Sequence, residues 1–236
     1  MYSTKHIFNT NKATAVFFFS LLILHFSPVV RPAFVSAAES NTDNRISFVW
    51  AFGAIRNKSG SPESVNINRD ITLTQGDQIK MLVQLTSHCF VYVIYTGSRG
   101  GMSLLYPQRG RQYQPGENVV IPQGDEWFTL DEHTGKETFC LLASKTRLTS
   151  LEHLLETYHT LDSTGKSHIK NQISALIRRI KRQHKKSLCA AAERPVLIGG
   201  AFRGLKKKTS DLAITKHSIK ISAQEFYSRT FIINHE

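Results

Sequence analysis

The sequence has little of what a disulfide scaffold or a known catalytic centre requires. It contains three cysteines in 236 residues and no CxxC pair. It also lacks the GxSxG and HExxH motifs of common hydrolases. Acidic residues are scarce, since eighteen Asp and Glu stand against thirty Lys and Arg and give a formal net charge of +12. We therefore expect neither a disulfide framework nor a recognisable catalytic site, and the charge favours anionic partners.

The composition is that of a folded protein with a core. Hydrophobic residues make up 41% of the chain and charged residues 20%. These proportions do not fit a mainly disordered chain, a collagen or a coiled coil.

The first segment has the pattern of a secretory signal peptide. Lys5 and Lys12 precede the apolar run 15–26, and small residues stand at the −3 and −1 positions of a cut between Ala38 and Glu39. A cut one residue earlier also fits, and the alternative is an uncleaved membrane anchor. The run is short for a membrane span, and no lipobox cysteine follows it. We therefore expect cleavage and a periplasmic or secreted protein without a later transmembrane span.

Short β-rich runs with Gly and Pro turns fill residues 39–148. A polar loop is predicted over 57–63, a hairpin loop over 97–101, and the apolar run 89–95 reads as a central strand. This spacing predicts an antiparallel β-sandwich or barrel.

Residues 149–192 change to helical periodicity. Thr149 and Glu152 fit a capping box, and Gly165 separates two helices. The second helix has an apolar stripe and a basic side. The basic residues are Lys170, Arg178, Arg179, Lys181, Arg182, Lys185 and Lys186. This side is interpreted either as an anion-binding face or as a solvated surface.

Strand-like sequence returns over 193–236, around a basic loop at Lys206–Lys208. A lone terminal hairpin is marginal in water, so these strands are predicted to complete the first sheet. The helices of 149–192 then form an insertion within one domain that follows the signal peptide at 1–38. The fold class is mainly β with an α insertion.

An ordered series of short motifs resembles a known family. The motifs begin at Gly76-Asp77, continue through Leu104-Leu105-Tyr106-Pro107 and Pro115-Gly116-Glu117, and close at Gly135-Lys136-Glu137. Together they resemble the extracytoplasmic bacterial family known as domain of unknown function 4384 over about residues 70–148. The resemblance implies an immunoglobulin-like sandwich and no assigned catalytic residues. We expect these motif residues to specify the fold.

Three local patterns have competing interpretations. Cys89 and Cys140 form either a disulfide or two buried free thiols. Gly165-Lys166-Ser167 is the tail of a P-loop without its first glycine, and reads as an interhelix turn with a Ser cap. The acidic segment 125–137 is interpreted as a solvated loop rather than a calcium site.

These observations predict a non-catalytic binding module of the bacterial envelope that needs no metal or cofactor. The partner is expected to be another envelope protein, with anionic lipid or polysaccharide as an alternative and nucleic acid disfavoured. In addition to the basic helix, three loop arginines are candidate contacts: Arg99, Arg109 and Arg111. Two other hypotheses are an adaptor held on an anionic surface by that helix, and a hydrolase with an unrecognised site.

Overall fold

The computed structural model describes residues 44–58, 61–109, 111–196, 214–215 and 218–236, which lie within one structural unit, Asn41–Glu236. The predicted signal peptide, its cleavage site at Ala38 and Glu39, and Lys206–Lys208 lie outside these residues. None of the helices formed by the described residues has the length and apolar character needed to cross a bilayer.

Two β-sheets face each other. The described residues form twelve strands: β1 (Ile46–Lys58), β2 (Ser61–Asn66), β3 (Ile71–Leu73), β4 (Gln78–Leu85), β5 (Phe90–Thr96), β6 (Met102–Tyr106), β7 (Asn118–Ile121), β8 (Phe128–Thr129), β9 (Gly135–Ser144), β10 (Ala192–Val196), β11 (Ser218–Ala223) and β12 (Phe226–His235). The first sheet has the order β10-β11-β1-β4-β7, with β2 on β1 and β8 on β4, and the second has β3-β12-β9-β5-β6. The predicted fold class, a β-sandwich with a helical insertion, is confirmed.

Alternating side chains place the main core between the sheets. Phe48, Trp50 and Phe52 on β1 lie in one buried cluster with Phe139 on β9 and Phe231 on β12. Rings in this cluster stack or meet edge to face at centroid distances of 5.0 to 6.0 Å. Burial of these large rings is the main source of stability for the sandwich.

The second sheet is buried on both faces. On β5, Val91 and Val93 enter the core between the sheets, whereas Tyr92 and Ile94 enter a separate cluster beneath the helices. This explains why the run 89–95 is apolar without alternation, as predicted for an interior strand.

The strand pairing differs from the sequence prediction in three places. Of the C-terminal strands, β10 and β11 join the first sheet as predicted, but β12 lies in the second sheet between β3 and β9. The segment predicted as a polar loop over 57–63 is largely a hairpin, because β1 continues to Lys58 and pairs with β2 from Ser61. Its outer positions are solvated, so its polar composition did not exclude a strand. The sheets are also not wholly antiparallel, since Ile233 of β12 is in parallel register with Ile71 of β3.

Three helices cross the outer face of the second sheet: α1 (Thr149–Thr160), α2 (Ser163–Gln183) and α3 (Lys185–Cys189). Leu151 and Leu155 of α1 and Ile173 and Ile180 of α2 are buried against the sheet with Phe226 of β12. The predicted apolar stripe of the second helix therefore faces the sheet. It is not exposed as an unpartnered surface.

The predicted caps of both helices are wrong. The residue before α1 is Leu148, which makes no side-chain cap, and Thr149 lies inside the helix. At α2, Asp162 rather than a serine accepts a hydrogen bond from the Gly165 amide at 2.9 Å. The Glu152 side chain does not cap the helix, because its carboxylate accepts a hydrogen bond from Tyr92 of the second sheet.

A hydrogen-bonded group holds the start of α1 on the second sheet. The buried Tyr92 hydroxyl donates to Glu152 Oε1 at 2.7 Å and accepts from the Leu148 amide at 3.0 Å. Arg147 forms a salt bridge with the same carboxylate at 2.8 Å. Burial raises the pKa of Glu152, but hydrogen bonds from Arg147 and Tyr92 outweigh burial and leave its pKa below the ordinary value.

The Glu152→Gln variant is expected to be less stable than the parent protein at neutral pH by about 1–2 kcal/mol, because a charge-assisted hydrogen-bond network is lost. Since the pKa of Glu152 is lowered in the folded state, its contribution is present above the unfolded-state pKa. It is lost as pH falls through the folded-state pKa. Urea unfolding of both proteins from pH 7 to pH 3 would check this. A stability difference that does not change with pH would contradict it.

The cysteines do not form the disulfide considered from the sequence. Cys89, Cys140 and Cys189 are all free. Cys89 packs in the core between the sheets, whereas Cys140 packs beneath the helices on the opposite face of the second sheet. Side chains on opposite faces cannot meet, so the free-thiol alternative is the correct one. Burial raises the pKa of both thiols.

Candidate functional site

The segment that forms α2 and α3 contains no acidic residue. Residues 163–189 contain eight Lys and Arg and no Asp or Glu. Five of these cations are exposed and form no salt bridge with the residues that the structure describes: Arg178, Arg179, Arg182, Lys185 and Lys186. We refer to these five as the basic face. Glu225 lies 3.6 Å from His184, which stands between Arg182 and Lys185 in the sequence, but the five cations have no salt-bridge partner of their own among the described residues. Much of their positive charge is therefore not neutralised by direct pairing.

Two cations predicted for this surface turn towards the sheet instead. Lys170 is half-buried and donates to the Gly100 carbonyl at 3.0 Å. Lys181 is half-buried, with its ammonium 3.5 Å from the Thr230 hydroxyl. The sequence assigned both to the basic side from helical angle alone. They fasten α2 to the second sheet.

A groove runs between the two long helices beside the basic face. It has a volume of about 570 Å³ and is lined by Leu154 of α1, by Ala175 and Leu176 of α2, and by Arg179 and Arg182. The groove thus combines an apolar floor with two guanidinium groups.

The three loop arginines predicted as contacts each have an acidic partner. Arg99 is near Asp131, Arg109 is paired with Glu156, and Arg111 is paired with Glu117 at 2.8 Å. Such exposed pairs contribute little stability, but they lower the net charge around each guanidinium. The structure does not bring the three arginines into one surface with the basic face.

A polar cavity lies beneath the turn that joins α1 and α2. It has a volume of about 410 Å³, in the range of small-molecule sites. Its lining comes from four parts of the chain: the segment 95–103, the segment 129–137, the facing ends of α1 and α2, and His235 of β12. We refer to it as the hairpin cavity.

Glu137 fixes the floor of the hairpin cavity. It is 5% exposed, and its two carboxylate oxygens accept from the Tyr95 hydroxyl and from the Ser98 amide. Burial and the neighbouring Glu137 raise the pKa of Tyr95, so its hydroxyl remains the donor at neutral pH. This pairing holds the loop 97–101 against β9.

Two glycines allow that close packing. Gly135 has φ +135°, and a Cβ there would lie 2.7 Å from Ser98 Cβ. A Cβ at Gly97 would lie 2.8 Å from the Tyr95 hydroxyl. Larger residues at either position would displace the loop from the floor.

At the edge of the hairpin cavity, Asp131 and His133 orient Arg99. The His133 Nδ1 lies 3.0 Å from Asp131 Oδ2, and its Nε2 lies 3.2 Å from the Arg99 guanidinium. Hydrogen bonds from the backbone amide and then the ring of His133 lower the pKa of Asp131. Since a guanidinium only donates hydrogen bonds, Nε2 of His133 is the acceptor in its contact with Arg99.

This arrangement does not resemble a working hydrolase site. An Asp–His pair normally uses the free ring nitrogen to take a proton from a nucleophile. Here that nitrogen, Nε2 of His133, faces Arg99. The described residues also contain no group of three or more His, Cys, Asp or Glu that could hold a metal ion.

The helices and the last strand complete the cavity wall. The buried Tyr158 hydroxyl accepts from the Met102 amide at 3.1 Å, and the Lys166 ammonium lies over the Tyr158 ring. His235 is 3% exposed, and its Nε2 is buried without a hydrogen-bond partner among the described residues. An unpartnered buried polar atom is costly unless a ligand or water meets it.

The Gly165-Lys166-Ser167 sequence is not a phosphate loop. It lies in the first turn of α2, and the Gly165 amide is already bonded to Asp162. Lys166 nevertheless lines the hairpin cavity.

The comparisons give a resemblance over part of the chain. A search of curated proteins found no match. Residues 72–147 match the model of a family described as a domain of unknown function, DUF4384. The matched segment runs from β3 to the end of β9 and contains Tyr95, Asp131 and Glu137, whereas α1, α2 and His235 lie beyond it. This central third of the chain is therefore similar to the DUF4384 family, as the motif series predicts.

Proposed function

We propose that this chain is a non-catalytic binding module of the bacterial envelope, and that its basic face binds an acidic surface of another envelope protein. The observation that carries the proposal is the acid-free stretch 163–189, whose five exposed cations have no salt-bridge partner among the described residues. The signal-peptide pattern of residues 1–38 supports an extracytoplasmic location.

The packing of α2 favours a protein partner over a membrane. A helix that inserts into lipid needs an exposed apolar face. The apolar face of α2 is occupied by the second sheet, with Ile173 fully buried and Ile180 9% exposed. The exposed side of α2 carries polar and charged side chains, together with the groove lined by Leu154 and Leu176. A groove of that kind accommodates a protruding side chain or short segment from a partner.

Arginine strengthens this interpretation. Three of the five cations are arginines, whose planar guanidinium groups bind carboxylates through two parallel hydrogen bonds. Arg179 and Arg182 both line the groove. A partner that places an acidic side chain there would gain a directional contact as well as general attraction.

The test is affinity purification of exported, crosslinked protein with glutamine at all five positions of the basic face. We expect the amount of the dominant envelope partner recovered with the variant to fall at least ten-fold. Recovery with the parent protein should also fall as salt rises from 50 mM to 500 mM, because ions screen exposed charges. The recovered partner should present a surface cluster of Asp and Glu.

The matched control replaces five exposed cations elsewhere with glutamine and changes the net charge equally. Suitable positions are Arg45, Arg69, Lys136, Arg194 and Lys220. The control should retain the partner. Equal loss from both variants, or unchanged recovery from the basic-face variant, would refute the proposal. Binding to anionic vesicles without any protein partner would replace it with the lipid-adaptor hypothesis.

A further inference from the structure

The hairpin cavity has properties that the proposed protein-binding role does not use. It lies beneath the α1–α2 turn, whereas the basic face lies towards the other end of α2. Lys166 and Arg182 are sixteen residues apart, or about 24 Å along the helix axis. A ligand in the cavity would therefore bind separately from a partner on the basic face.

The acidic groups of the cavity already have protein partners. Both oxygens of Glu137 accept hydrogen bonds, from Tyr95 and from Ser98. Both oxygens of Asp131 are also occupied, Oδ1 by the His133 amide at 2.8 Å and Oδ2 by the His133 ring. Both carboxylates of the lining are therefore already engaged in hydrogen bonds within the cavity wall.

Its donor groups, in contrast, are only partly used. The Lys166 ammonium contacts the Tyr158 ring at 5.8 Å but forms no salt bridge with the described residues. Arg99 has five N–H groups, and its contacts with His133 and Asp131 leave others available. His235 lines the same cavity, and its buried Nε2 lacks a partner among the described residues.

From this imbalance we infer that the hairpin cavity binds a small organic anion bearing a carboxylate or phosphate group, with Arg99 and Lys166 supplying the charge and His235 a polar contact. Two carboxylates, Asp131 and Glu137, line the same cavity, but both are hydrogen-bonded within its wall. The unused N–H groups of Arg99 and Lys166 therefore favour an oxyanion, which supplies several acceptors at once. A volume of about 410 Å³ admits a molecule of sugar-acid or sugar-phosphate size. The loop 97–101 is held in place by Glu137 and Lys170, so the site is largely preformed.

The test is NMR titration of the full mature chain with four probes: inorganic phosphate, glucose 6-phosphate, glucuronate and neutral glucose. We expect saturable shifts of the His235 ring and of the Gly97–Gly101 amides with at least one anion and none with glucose. The phosphate and glucuronate series separate the two anion types. Absence of a saturable shift with every anion at about 10 mM would overturn the inference, because weaker binding falls below useful affinity.

Charge variants separate a specific site from diffuse attraction. Lys166→Gln and Arg99→Gln should each weaken binding at least ten-fold, whereas Arg194→Gln, which removes the same charge at an exposed position outside the cavity, should not. Arg99 is 71% exposed, so its replacement tests the site even if Lys166→Gln perturbs the Tyr158 contact. Equal affinities for all three variants would contradict the inference. Protein-partner recovery should be unaffected by Lys166→Gln, so failure of this inference is distinguishable from failure of the proposed function.

Discussion

Replacing Phe231 with alanine is expected to lower the free energy of unfolding by about 3–5 kcal/mol. Phe231 is 2% exposed at the centre of the sandwich. Its ring stacks on Trp50 of the opposite sheet at 6.0 Å and meets Phe52 edge to face at 5.5 Å. The substitution removes these contacts and leaves a cavity that rigid β-strands cannot close. Equilibrium unfolding in urea, with the slope compared as well as the midpoint, measures the loss.

Phe128→Ala is the matched control for this prediction. Phe128 packs at the margin of the same cluster and is only half-buried. The loss there should be clearly smaller, because water and neighbouring side chains can fill the space. If the two alanine variants were equally stable, the aromatic contacts between the sheets would not be the main source of stability.

Replacing Asp77 with alanine is expected to cost about 2–4 kcal/mol of unfolding free energy, because two backbone amides lose a charged acceptor. Asp77 is 3% exposed. Its carboxylate accepts from the Thr74 amide at 2.9 Å and from the Asn57 amide at 3.1 Å. One side chain thereby joins the β3–β4 turn to the end of β1. Thermal and urea unfolding would both report the loss.

Asp77→Asn provides the comparison that assigns the effect. The amide keeps one oxygen acceptor of the same size but loses the charge and the second acceptor, so an intermediate loss is expected. An alanine variant within about 0.5 kcal/mol of the parent would contradict the prediction, since that is the ordinary scatter of surface substitutions. The ligand titration of the hairpin cavity should be unchanged in both variants, because Asp77 does not line it.

Local patterns predicted much of the fold because local forces decide those parts. The Gly76-Asp77 motif was expected to specify the fold, and the Asp77 side chain does bond nearby amides. The apolar stripe of Ile173 and Ile180 predicted α2, and the run 89–95 predicted an interior strand. Where tertiary contacts override local preference, prediction failed. Glu152 has the spacing of a capping box but bonds to Tyr92 on β5, a contact that spacing alone does not reveal.

The hairpin cavity was less accessible to sequence reasoning. Its lining residues come from four separated segments, and only the topology brings His235 close to the loop after β5. One weaker signal was present, since the acidic segment 125–137 could be a calcium site or a solvated loop and was interpreted as a loop. The structure shows that Asp131 and Glu137 both face protein donors. The basic face was readable from the helical period, except that Lys170 and Lys181 turn towards the sheet.

The position of β12 in the second sheet has a kinetic consequence. This strand lies between β3 and β9, and β11 lies beside β1, so strands distant in sequence form the middle of both sheets. Closing such long loops is slow, whereas the α1–α2 hairpin depends on local contacts and forms quickly. Until β11 and β12 emerge, β1 and β9 have open edges that can pair with other chains. We expect newly made protein to need a holding chaperone until residues 218–235 are available.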